Sequence, residues 1–442
     1  MRYKIIIHKS RINICKPVLS VPPRKKILVY LQLMLVCFML WMRDALGFPS
    51  AITYLTDVIT VLILFFEFSK IKKGLKNARI KVQARIVWAI LICMIFGAMI
   101  NLVNPLLFLW GFRNSFRFFV FFFICVGLLD AWDVEKIVDF FKAIFFLNVI
   151  MITFQYFVQG YRDDFLGGFF GTGSGCNVYV CILLCVITAI VLAEFLNSKM
   201  TLMHLLLYCV ACMYIATLAE LKVYFLEFII IVGIQMFYTK PTLKTIGICI
   251  SAVVILIIGF NFIKMYNPGI LNILLNKDAM DYYLSGNGYT NSGDLNRLSA
   301  VQQVHEMFFE GDLFRSLFGF GLGSCEQSGY DFLTSAFSRQ YEYLHYRWFS
   351  HAWIYLEQGL IGLILTVLFF VSIALAIIKR FKMKKVYTLA AFSFIPTCII
   401  GLLYNSALEL EATYMIALVC AFPFILKKSL NCNPRFHTHY LG

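Results

Sequence analysis

The chain has 442 residues, of which 61% are hydrophobic and only 14% charged, with a formal net charge of +15. A soluble globule of that length needs far more polar surface to cover its core, so composition excludes a water-soluble enzyme or binding domain. Nucleic acid is excluded as a partner on the same ground: no polar domain is present to carry a basic patch.

Apolar runs of the roughly 17–25 residues that cross a bilayer as helix recur along the whole length. Twelve spans are predicted, at about 27–47, 50–69, 86–106, 116–132, 138–158, 176–195, 201–219, 223–239, 244–262, 352–378, 386–405 and 411–427. The expected fold class is all-α: a polytopic membrane protein of about twelve transmembrane helices, with residues 1–442 as one integral membrane domain. The basic stretch 1–26 leads into an apolar segment too long for a signal-peptide core and followed by no A-x-A site, so it reads as the approach to an uncleaved first span.

Lysine and arginine in short connections set orientation. Alternate connections hold Lys70, Lys72, Lys73, Lys76, Arg79, Lys81 and Arg85, then Lys136 and Lys142, then Lys199, then Lys240 and Lys244, then Lys379, Arg380, Lys382, Lys384 and Lys385. With the tails, these segments take 28 of the 39 basic residues. They place both termini in the cytoplasm and make the net charge mostly a topology signal, with some attraction to anionic lipid. Most of the fourteen cysteines fall inside spans, where a thiol acts as a small apolar filler. No metal-ligand spacing is present, and only Cys176 and Cys325 lie where an outer-side disulfide could form.

Between the ninth and tenth spans lies one large connection, 263–351, which is expected to be partly helical and functional. Asp294 suits an N-cap for a helix from Leu295 to Phe309, closed by Glu310-Gly311. Arg297 lies one turn before Val301, on the stripe with Val304 and Phe308, and so points into the protein, where a cation needs an anionic partner. Beyond it, LFGFGLGS reads as a flexible turn and not a nucleotide loop, because no strand precedes it.

The eleven basic residues on the outer side are eight arginines and three lysines, and arginine is the cation that stays charged when desolvated and grips phosphate in a fork. Arg113 and Arg117, one turn apart in GFRNSFRFF, fit either phosphate contacts or snorkelling span ends. Ionisable residues near membrane depth are Asp57, Glu220, Lys222, Glu227 and Glu357. TLAELKVYFLEF sets Glu220 and Glu227 on one helical face, with Lys222 able to neutralise one of them; Asp57 fits a buried structural acceptor. In YLHYRWFSHAWIYLEQGLIGL, Arg347 and His351 stand at the threshold of the tenth span beside Trp348 and Trp353, whose faces suit an interface belt, a sugar or a cation.

The order GDLNRLSAVQQVHEMF, LFGFGLGS, SHAWIYLEQGLIGL over residues 294–363 resembles the O-antigen polymerase and ligase superfamily of bacterial membrane glycosyltransferases; YLTDVITVL in the second span is similar to a further feature of that group. The resemblance implies a GT-C-like membrane enzyme of the bacterial cytoplasmic membrane whose large loop is extracytoplasmic. It implies an undecaprenyl-diphosphate-linked glycan as donor, no cofactor, and a flippase and chain-length regulator as partners. By position, Arg297 resembles the loop arginine that holds diphosphate and His351 the loop-end histidine. Lys222 stands where ligases carry an arginine, which favours a polymerase of capsule, O-antigen or exopolysaccharide over a ligase acting on lipid A-core. A transporter of lipid-linked sugars is the reading from another class. Expected catalytic groups are His351, Arg297 and Glu220; expected substrate contacts are Arg113, Arg117, Lys222, Arg347, Trp348 and Trp353.

Overall fold

The computed structural model describes residues 23–239, 243–266, 269, 275–285, 293–380 and 386–432. The lead-in 1–22 and Lys240, Lys382, Lys384 and Lys385 lie outside the described residues. Twelve long helices run in order: α1 (Pro23–Leu46), α2 (Leu55–Ala78), α3 (Lys81–Ile100), α4 (Pro105–Leu128), α5 (Ala131–Phe157), α6 (Asn177–Leu196), α7 (Leu202–Leu218), α8 (Lys222–Phe237), α9 (Leu243–Tyr266), α10 (Ser350–Arg380), α11 (Val386–Tyr404) and α12 (Thr413–Cys432). Among the described residues there is no strand, and nine helices are long and apolar enough to cross a membrane; α7, α8 and α9 are the remainder. The protein is thus an all-α polytopic membrane protein, and each helix overlaps one predicted span.

Contacts between helix termini divide the bundle into two ends. At one end Lys26 of α1 holds Asp130 and Asp133 at the α4–α5 junction, both at 2.5 Å, with Tyr30 donating to Asp133. Lys428 of α12 donates to the carbonyls of Val126 and Gly127 at 2.6 and 2.9 Å, capping the C-terminus of α4 with a cation where the helix dipole favours one. Part of the basic charge at this end therefore stitches helices together. The other end gathers the starts of α2, α4, α6, α10 and α12, the end of α11, and the large loop. Helix α6 is the axis, with 94% of its apolar window buried, whereas α2 leaves most of its surface outward at 28%; outward Phe65, Phe66, Trp88 and Ile92 suit lipid.

The loop packs into the bundle and is not a loose cover. Helix α10 is broken at Gly359, whose φ of 63° and ψ of −165° lie outside the helical region. The main chain of 317–320 fills the break: Phe320 N–H donates to the Leu356 carbonyl at 2.7 Å, replacing a bond the helix has lost. The GFGLG turn, predicted to be flexible, is wedged between α3, α4 and α10, with Leu322 and Cys325 fully buried. A Cβ at Gly323 would stand 2.3 Å from the Leu107 carbonyl oxygen, so only glycine permits this approach.

Two expectations for the loop need correction. Its predicted helix over 295–309 begins at Ala300 and closes in a π-turn at His305–Phe309, and Asp294 is buried ahead of it and is not its N-cap. Leu295 N–H is drawn to the Leu344 carbonyl at 3.0 Å and Arg297 N–H to the Asn296 side chain at 2.7 Å, bonds that compete with helix. Cys176 and Cys325 are free thiols; Cys176 donates to the Asp164 carbonyl and Cys325 lies beneath Tyr346. At Gly359 a Cβ would meet the Leu317 carbonyl carbon at 2.3 Å, at a positive φ. Gly359→Ala should cost roughly 2 kcal/mol or more, read as a lower apparent Tm in detergent. Gly233→Ala, where a Cβ meets nothing within 4 Å, should be neutral or slightly stabilising.

Candidate functional site

Helix α4 starts at Pro105, not at 116, because the Asn104 side chain accepts the Leu106 N–H at 2.9 Å and proline suits the first turn, where no N–H is needed. That shift moves Arg113 and Arg117 from a span edge to about two and three turns inside a helix, Arg117 being only 6% exposed. Such cations persist there because carboxylates meet them. Arg113 donates to Asp57 of α2 through Nε at 2.8 Å and approaches it through Nη2 at 2.7 Å, with its guanidinium over the Tyr54 and Trp110 rings. Arg117 donates to Glu411 at 2.8 Å and to the Glu409 carbonyl at 2.9 Å, while Tyr179 of α6 donates to the other Glu411 oxygen at 2.7 Å. Burial pushes the Glu411 carboxyl up, but Arg117, the Tyr179 hydroxyl and Arg113 together outweigh it and hold it at about 2.

Asn114 joins this network to the loop. Its amide oxygen accepts from Arg113 at 2.7 Å and Arg117 at 3.0 Å, so its NH2 must turn the other way, where it donates to Glu326 at 2.8 Å. Burial raises the Glu326 carboxyl, with Arg347 and Asn114 opposing. Arg347 donates to Gln327 at 2.7 Å and lies 4.5 Å over the Trp353 ring; its Nε has no hydrogen-bond partner among the described residues. Glu357, on the first segment of α10, accepts the N–H groups of Gly323 and Cys325 at 3.1 and 3.0 Å.

The loop arginine and the α10 histidine share one corner of this end. Arg297 lies in a turn ahead of the short helix, yet its guanidinium sits 4.3 Å over Tyr404 and 5.4 Å over Phe349. Its main chain also contacts the ring of His351, which is only 2% exposed. His351 Nδ1 is 3.0 Å from the Leu402 carbonyl, and because a carbonyl can only accept, Nδ1 carries a proton and the neutral ring keeps its lone pair on Nε2. Beside it Ser350 donates to Glu409, whose carboxyl burial raises to about 7 against that hydrogen bond. A cavity of about 20 Å³, room for a water molecule, is lined by Ser115, Gln358, Thr366 and Glu409.

The structure therefore brings together Arg113, Arg117, Arg297, Arg347, Trp353 and His351. Trp348 is 43% exposed and stacks on His345 at 4.1 Å. Glu220 and Lys222 form a separate cluster: they pair at 3.3 Å in the α7–α8 turn, and burial followed by a hydrogen bond with Asp163 raises Glu220 to about 7 despite Lys222. Glu220 and Glu227 do not share a helical face. Helix α7 ends at Leu218, Glu220 has a left-handed φ of 52°, and Glu227 sits inside α8 against Cys181 and Cys185. The groups that sequence reasoning missed are Asn114, Tyr179, Glu326, Glu409 and Glu411. The two last stand in NSALELEATY, where two acids interrupt an apolar stretch, and that was the available signal. No protein-family model matches the chain, and no curated protein matches it.

Two measurements follow from the ion pairs. Arg117→Ala strands Glu411 as a buried charge and should cost about 3–5 kcal/mol, whereas Arg117→Met with Glu411→Gln should recover most of that loss; apparent Tm in detergent reads both. For Glu409 the sign is opposite to that of Glu411: a folded-state value of about 7 against an ordinary glutamate carboxyl at 4.5 means its contribution is full at low pH and is lost as pH rises toward 7. Glu409→Gln should therefore raise apparent Tm most at about pH 8, the gain shrinking toward about pH 5.

Proposed function

We propose that this protein is a membrane glycosyltransferase that polymerises glycan repeat units carried on a lipid diphosphate, building a capsule, O-antigen or exopolysaccharide at the outer face of the bacterial cytoplasmic membrane. The observation that carries the reading is the shared corner of Arg297 and His351, roofed by a loop and flanked by Arg347 with an unengaged Nε–H. Breaking the anomeric C–O bond leaves negative charge on the diphosphate, which fixed guanidinium groups stabilise best where water is scarce. Arg347 and Arg297 take that role, with Arg113 and Arg117 behind them as the positive floor. The attacking hydroxyl of the second repeat unit forms the new C–O bond and gives its proton to His351 Nε2, the ring nitrogen with the lone pair. Trp353 braces Arg347, and Trp348 offers an exposed face to the sugar.

The break in α10 at Gly359 favours a second reading, a transporter of lipid-linked sugars, because interrupted helices mark many transport sites. One comparison separates these readings. Arg297→Ala and His351→Ala should leave protein in the membrane, abolish long glycan chains and accumulate single repeat units on lipid at the outer leaflet. Unchanged chain length in both variants eliminates the catalytic assignments. Repeat units held at the inner leaflet identify transport, and long chains stranded on the carrier identify a ligase.

A further inference from the structure

Away from this site, two helices bring sulfur and carboxylate ligands to one buried point. Cys181 and Cys185 are four residues apart on α6 and so share a face. Glu227 of α8 faces them, its Oε2 lying 3.3 Å from Cys181 Sγ and 2.9 Å from Cys185 Sγ, and the three ligand atoms lie within 4.8 Å of one another. Cys398 of α11 is a more distant neighbour of Glu227: its thiol donates to the Phe394 carbonyl at 3.4 Å and pairs with Cys420 of α12. All five are 2% exposed or less. Fourteen cysteines scattered as apolar filler would have no reason to converge on one buried carboxylate.

We infer that Cys181, Cys185 and Glu227 form a binding site for a thiophilic d10 cation, with zinc the best match. Ligand atoms around one tetrahedral zinc, bonded at about 2.3 Å to sulfur and about 2.0 Å to oxygen, lie roughly 3.5 Å apart, close to the separations here. Charge selects a divalent ion. Two thiolates cancel it, the two thiol protons leaving as the metal–sulfur bonds form, and Glu227 binds through a carboxylate oxygen after releasing its own proton. The ion would lock α6 to α8. Cys181 is two residues beyond Tyr179, so the lock would also fix the height at which the Tyr179 hydroxyl meets Glu411.

The test needs only the purified full-length chain in detergent. Elemental analysis should find about one zinc per chain, or, after chelation, Co2+ should bind at about one equivalent with thiolate-to-cobalt charge-transfer absorption. Cys181→Ser with Cys185→Ser should abolish both signals, and Cys209→Ser should preserve them. Should the double variant fail to accumulate, Glu227→Gln should weaken Co2+ binding by roughly tenfold or more while retaining the absorption. Wild-type protein that carries no metal and gives no thiolate–cobalt absorption overturns the site, as does absorption that survives loss of both cysteines.

Discussion

A guanidinium placed three turns down a helix in an apolar bundle is tolerable only if a carboxylate reaches it, and the Arg117–Glu411 contact at 2.8 Å meets that condition. Much else follows from it. Glu411 can reach Arg117 only if the short turn between α11 and α12 dips toward α4, and Tyr179 can satisfy the second Glu411 oxygen only if α6 stands on the far side. Asn114 then has its amide orientation decided by the two arginines, and that orientation points its NH2 at Glu326 in the loop. Arg117, with Arg113 one turn before it, thereby ties α2, α4, α6, the α11–α12 turn and the loop to a common point.

The same balance bears on the proposed chemistry. Arg113 and Arg117 are engaged by Asp57 and Glu411, so an incoming diphosphate has to compete with carboxylates already in place. That competition suits an enzyme that must let go of a lipid diphosphate after every transfer, since a cleft of unopposed arginines would hold the product. Arg347 differs from that pair: its carboxylate neighbours Glu326 and Glu357 spend hydrogen bonds on Asn114 and on loop N–H groups, and its buried Nε–H has no hydrogen-bond partner among the described residues.

Hydrophobic run length made the long helices legible, because a bilayer admits few alternatives to a spanning helix, but it did not reveal the short loop helices such as Leu313–Phe318 and Ala336–Tyr341. Start points were less legible where capping overrode hydropathy: Asn104-Pro105 opens α4 well ahead of the apolar run, and this carried Arg113 and Arg117 indoors. The inward aim of Arg297 was read from a helical stripe that does not exist at that residue; the turn reaches the same end because Tyr404 and Phe349 present aromatic faces to the cation. Glu409 and Glu411 could be seen in the sequence but not paired, since Ser350 lies 59 residues from Glu409 and Arg117 lies 294 from Glu411, and long-range pairing has no local signature. The convergence of Cys181, Cys185 and Glu227 was hidden for the same reason, two ligands coming from one helix and the third from another.

The interrupted tenth helix ties the membrane domain to its loop during biogenesis. The Leu356 carbonyl, lying in an apolar setting, finds its donor on Phe320, a residue made before α10 itself. The nascent chain must therefore hold 317–325 in reserve until 350–358 arrives to dock against it. Docking of the loop and completion of the helix are therefore coupled, and a loop severed or replaced would leave a spanning segment with an unanswered main-chain oxygen.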